Sequence, residues 1–155
     1  MTASPALDDG IASSPDEVDH RTRVTVRGYE IDALGHVAHT VYMQYAEHAR
    51  WERMSAAGLN VGVLLRAGVM PVMLETTLRY HKELRFNDEV IVGCDFQWGT
   101  GKTGRIHQPL QRGDGVLAAE VTSVAGLLDL ARRKLVEQPL DKLRELADAP
   151  ELMGL

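Results

Sequence analysis

Between Asp32 and Tyr42 the chain places one carboxylate, two imidazoles (His36 and His39) and a phenol. The segment holds Gly35 and feeds a proline-free run over residues 39–57, rich in Ala, Met, Glu and Arg. That run predicts a helix starting near His39 or Thr40. The first amides of a helix lack intrahelical acceptors and attract developing negative charge. A carboxylate beside such donors suits attack on an acyl carbon: it activates water or attacks directly, while the amides hold the oxyanion. Asp32 is therefore the first catalytic candidate, with main-chain donors near His39 and Thr40. His36 and His39 are candidates for contacting the acyl group or carrying protons. The plainer reading of Asp32 is a loop residue that shapes a turn or caps the helix. Tyr42 is a candidate for substrate contact or for core packing with a bonded hydroxyl.

Asp32, Gly35, His36, Val37, Tyr42, Tyr45, Glu47, Ala49 and Arg50 together follow the order D-x-x-G-H-V-x-x-x-x-Y-x-x-Y-x-E-x-A-R. In this pattern the chain resembles the hotdog-fold thioesterases, the 4-hydroxybenzoyl-CoA thioesterase-like branch, over about residues 23–146. The resemblance implies a sheet of about five antiparallel strands wrapped around one long central helix. It implies homodimers or homotetramers whose sheets join edge to edge, with active sites between subunits. It also implies hydrolysis of an acyl-CoA or acyl-carrier-protein thioester to free acid and thiol, with no metal or cofactor. Asp32 matches the catalytic aspartate, as nucleophile or general base, and His36 the histidine after glycine. Ala38 and His39 depart from the asparagine usual near this point. In some branches a helix glutamate is the base, which makes Glu47 a second candidate; its plainer role is an ion pair with Arg50, three residues on. The other frequent carboxylate of the pattern falls on Glu30, expected at the surface or behind the site. Resemblance places Lys102 and Thr103 near the pantetheine path, and Thr40 joins them as a substrate contact.

Two rival activities share these residues. His39 and His81 are extra bases for conjugate addition of water or an amine to an enoyl thioester. A non-catalytic acyl-thioester binding role is the other.

The elements that position these groups follow from the rest of the chain. Residues 1–20 are rich in Ala, Ser, Pro and Asp without periodicity, which predicts a disordered tail before one domain over residues 21–150. Arg21 to Glu30 reads as a half-buried strand. Gly58 marks the end of the helix. Residues 72–84 alternate as a long strand, with Met73, Glu75, Thr77, Arg79 and His81 on one face and Val72, Leu74, Thr76, Leu78 and Tyr80 on the other. Three more strands follow, over residues 90–98, 105–112 and 116–130, separated by short turns. Pro139 opens a last helix. One helix against strands joined in sequence predicts an α+β fold with an antiparallel sheet.

The run from Gly99 to Gly104 is not a phosphate loop: Phe96 stands where the Walker pattern needs glycine, and no helix follows. Lys102, Arg105 and Arg79 remain candidates for meeting the phosphates of a CoA-like carrier, as does the cluster from Arg132 to Lys134. A net charge of −5 argues against nucleic acid as a partner. No apolar run is long enough to span a membrane. The lone Cys94 forbids an internal disulfide and predicts a reducing, cytoplasmic setting. The histidines and carboxylates show no metal-ligand spacing.

Overall fold

The computed structural model describes residues 21–155; the predicted N-terminal tail lies outside them. Strand β1 (Thr22–Thr25) leads through a 3-10 turn (Gly28–Glu30) and a loop into helix α1 (Val41–Ala56). A short helix α2 (Val61–Arg66) precedes the long strand β2 (Val69–Tyr80). Then come β3 (Glu89–Val92), β4 (Asp95–Trp98), β5 (Thr103–Arg112), β6 (Leu117–Asp129), β7 (Lys134–Leu135) and α3 (Pro139–Leu146).

Every strand pairing is antiparallel, and the main path through the sheet runs β1-β3-β5-β6-β2. The short strands β4 and β7 pair with β5 and β6. The strand count of the main path and the single long helix agree with the expected hotdog architecture. Three pairings skip a neighbour in the chain, β1 with β3, β3 with β5 and β2 with β6, so β2 joins β6, not β3. The linker between β2 and β3 therefore crosses from one side of the sheet to the other. It passes the start of α1, where the Leu84 carbonyl accepts from the Val37 amide at 2.8 Å. The Leu84 amide donates to the Tyr42 hydroxyl at 3.2 Å. This crossing carries His81, Lys82 and Glu83 over the helix start.

Helix α1 packs on the inward face of the sheet. Ala46 and Ala49 are buried, so the sheet approaches the helix backbone closely. Gln108, fully buried on β5, donates from Nε2 to the Ala46 carbonyl at 2.6 Å and ties helix to sheet. The N-terminal half of α1 packs with Val24, Val26, Val90, Val92, Leu110 and Val121. Its C-terminal end packs through Met54 with Leu59, Leu64, Leu127, Leu143 and Met153.

Strict alternation fails in β2. Between Met73 and Glu75 the register with β6 slips by one residue, and Leu74 bulges out of the ladder, half exposed. Met73 thereby joins the inward face, packing near Cys94, Ile106 and Ala125. Thr76 bonds Ser123 on that same face at 3.1 Å. A bulge adds one residue and so reverses the facing of everything before it, which a period-two reading misses.

Candidate active site

The loop before α1 is closed on itself. The Asp32 amide donates to the His36 carbonyl at 2.8 Å, and the Gly35 amide returns to the Asp32 carbonyl at 3.0 Å. Asp32 Oδ1 accepts from the Leu34 amide at 2.8 Å and the His36 amide at 3.4 Å. Gly35 adopts φ +80°, a backbone state that side chains disfavour. The loop-shaping role of Asp32 thus engages Oδ1, and Oδ2 has no hydrogen-bond partner among the described residues.

Asp32 is exposed, and it lines a cleft of about 280 Å³ with His36, Val37, His39, Tyr42, Tyr80, His81, Lys82 and Glu83. The cleft brings five candidates together: Asp32, His36, His39, Tyr42 and His81. His36 is held by Glu83, Nε2 to Oε2 at 3.1 Å, rather than by Asp32. Glu83 is itself held below the usual carboxylate range, first by its bond to Arg85 and also by His36. Tyr42 is buried, which raises its phenol pKa against the opposing Leu84 hydrogen bond. Tyr80 meets the Tyr42 ring edge-to-face, centroids 5.2 Å apart.

At the helix start, the Val41 amide donates to the Ala38 carbonyl at 2.9 Å. The amides of His39 and Thr40 find no backbone acceptor among the described residues. Thr40 caps the helix without a side-chain hydrogen bond. The helix start thus holds free main-chain donors, and of these two residues His39 lines the carboxylate-bearing cleft.

Other candidates fall elsewhere. Glu47 is exposed, 3.8 Å from Arg50, and does not line the cleft. Arg50 is nearly buried and borders a second, largely apolar pocket formed with Met54, Met73, Phe96, Trp98 and Leu143. Burial lowers the Arg50 pKa, with Glu47 opposing. Arg79 is exposed, opposite Glu120 in the ladder. Lys102 Nζ pairs with Glu137 at 2.8 Å in a separate groove with Arg132 and Lys134. Thr103 pairs with Gly126 of β6, whereas Tyr80 pairs with Ala119. Those seven residues of strand put Thr103 roughly 23 Å along the sheet from the cleft within one chain, and Arg105, opposite Val124, roughly 17 Å.

Of the two places expected for Glu30, the surface is excluded: it is buried. Its Oε1 accepts from the Tyr45 hydroxyl at 2.9 Å and the Arg27 amide at 2.8 Å. Sequence reading missed Tyr80, Lys82 and Glu83 as cleft residues. It also missed Glu120, which bridges His81 at 2.9 Å and His107 at 3.1 Å. No local spacing signals these groups, because the linker crossing and the sheet register bring them in. Among the described residues no group of three or more His, Cys, Asp or Glu is arranged to hold a metal ion. No described helix is long and apolar enough to cross a membrane.

This helix-on-sheet architecture belongs to a known class. The thioesterase-like superfamily model matches residues 26–150, and the chain belongs to that family. Among particular relatives, a chloroplastic acyl-acyl carrier protein thioesterase of Arabidopsis thaliana is 33% identical over 73 residues, 47% of this chain. That match spans only 38% of the relative's own length. The long-chain acyl-CoA thioesterase FadM of Escherichia coli is 23% identical over 115 residues, 74% of this chain and 86% of the relative. A Staphylococcus aureus protein solved in complex with CoA has the same fold, with a TM-score of 0.75 at 18% identity, over 82% of this chain and 80% of the other.

Proposed function

We propose that the protein hydrolyses an acyl thioester, carried by coenzyme A or an acyl carrier protein, to the free acid and thiol. The observation that carries this reading is the cleft shared by the Asp32 carboxylate and the helix start with its unclaimed amides. The relatives named above, one acting on acyl-carrier-protein and one on acyl-CoA thioesters, support the substrate class. In the reaction Asp32 takes a proton from water as its oxygen bonds the thioester carbon, or bonds that carbon itself. The carbonyl electrons move onto oxygen, which the main-chain amides of His39 and Thr40 receive. Collapse of the intermediate expels the thiolate, a good leaving group; this gives the acid directly when water attacked, and when Asp32 attacked it gives a mixed anhydride that water then hydrolyses, restoring the carboxylate. His36, pinned by Glu83, lines the wall beside Asp32.

We assign the working form as a homodimer joined along the free edge of β2, in the cytoplasm, where the single buried Cys94 stays a thiol. In such a dimer Lys102, Thr103 and Arg105 of one copy approach the cleft of the other and meet the carrier's phosphate end.

The test is a panel of acyl-CoA and acyl-carrier-protein thioesters assayed for released thiol. Asp32→Asn is expected to lower kcat by about 10²–10⁴, the range for a lost acid–base group, with an unchanged circular dichroism spectrum. Turnover by Asp32→Asn at the wild-type rate would falsify the assignment.

A further inference from the structure

The Tyr80 hydroxyl donates to the carbonyl oxygen of His39 at 2.8 Å, across 41 residues of chain. Tyr80 is the last residue of β2, and His39 lies at the junction of loop and helix. The acceptor belongs to a peptide to which the proposed mechanism gives the oxyanion. The carbonyl of His39 and the amide of Thr40 form one planar, trans unit, so oxygen and N–H point in opposite directions. Fixing the oxygen fixes the direction of the N–H. A hydrogen bond at the oxygen also polarises the amide and strengthens the N–H as a donor.

Little else restrains this peptide. The Thr40 side chain makes no capping bond, and neither the His39 nor the Thr40 amide reaches a backbone acceptor. The Tyr80 ring, in contrast, is seated edge-on against Tyr42, whose hydroxyl is held by the Leu84 amide. Partial burial raises the Tyr80 pKa, so the phenol remains a proton donor through the neutral range.

We infer that Tyr80 is a positioning residue for thioester hydrolysis: its hydroxyl holds the His39–Thr40 peptide so that the helix-start amides receive the oxyanion. In this role Tyr80 touches neither substrate nor reacting atom, and it keeps its proton throughout. The inference rests on the thioesterase reading, which supplies the oxyanion.

Tyr80→Phe keeps the ring and its contact with Tyr42 and removes only the donor. It is expected to lower kcat by about 10–100-fold, a fraction of the effect of losing an oxyanion donor outright. KM should stay within about twofold, because an interaction realised in the transition state leaves ground-state binding alone. Incorporating 3-fluorotyrosine at position 80, a stronger donor of the same shape, should raise kcat at neutral pH. An infrared measurement reads the amide donors through the carbonyl they polarise. With a ¹³C-labelled thioester bound to Asp32→Asn, the carbonyl band should move to higher frequency when Tyr80→Phe is added. A bond that only fastens β2 to the loop would leave kcat and the band unchanged while lowering the melting temperature, and that result overturns the inference. Loss of turnover in Asp32→Asn alongside a fully active Tyr80→Phe rejects Tyr80 alone. A fully active Asp32→Asn rejects the thioesterase mechanism itself.

Discussion

Glu30 and Asp32 stand two positions apart and have opposite surroundings. Glu30 is buried and bonded by a hydroxyl and an amide, so it anchors the turn. Asp32 is exposed, bonded only by amides of its own loop, and opens on the cleft. The same residue class thus does structural work at one position and is available for chemistry at the other. Cys94 shows how burial alone sets behaviour. Removal from water pushes its thiol up to about 12, despite the opposing charges of Arg53 and Arg50. The folded chain therefore holds this proton more tightly than the unfolded chain does. The resulting stability is complete below about pH 9, the unfolded value, and is lost as pH rises through about 12. Urea unfolding of wild type and Cys94→Ala at pH 7.5 and pH 10 checks the sign. The wild type should lose ~1 kcal/mol more than the variant over that interval; an equal loss in both would place the thiol in water. At this scale the motif residues from Asp32 to Arg50 were readable because they lie on one short stretch. Tyr80, Glu83 and Glu120 were not, because the histidines they meet stand on other elements.

Elements were legible where local chemistry determines them. Gly58 was expected to stop the helix, and the structure shows how. With φ +85° it sits just beyond Ala57, while its own amide bonds the Ser55 carbonyl and the Leu59 amide bonds the Met54 carbonyl. That is the two-bond Schellman ending, and the Met54 and Leu59 side chains pack together beneath it. A side chain at Gly58 meets two obstacles. The backbone sign is wrong for it, and a Cβ would lie 2.5 Å from Asp148 Oδ2 and 2.9 Å from the Asp148 amide. Gly58→Ala is therefore expected to cost more than ~1 kcal/mol, the penalty for an unsuitable φ alone. Thermal unfolding that shows no loss would mean that the C-terminal segment moves aside freely. The helix, its end, the long strands and Pro139 at the start of α3 all emerged from composition, spacing and turn residues. The Leu74 bulge and the pairing of β2 with β6 did not. Both are decided by packing between strands distant in sequence, where no local pattern distinguishes a regular strand from a bulged one.

At the scale of the whole molecule, the free edge of β2 carries the largest consequence. β2 pairs only with β6, so over Val69–Tyr80 its other side has no partner strand among the described residues. Such an edge invites another strand unless it is blocked. Exposed apolar side chains accompany it: Leu74 at the bulge, and Val61 and Leu65 on the adjoining α2. An antiparallel pairing with a second copy would set the start of one β2 beside the end of the other, which is the end that carries Tyr80. The apolar pocket bordered by Pro71, Met73 and Arg50 would then lie near the partner's cleft. Assembly and catalysis would be linked through the strand that terminates in the phenol. Leu74→Asp places two like charges near the two-fold axis and is expected to shift the species seen by analytical ultracentrifugation from twice 17.1 kDa to 17.1 kDa. Thiol release should fall with the dimer fraction and return at high protein concentration. A wild-type protein that sediments as a monomer with full turnover would show that one chain holds the complete site.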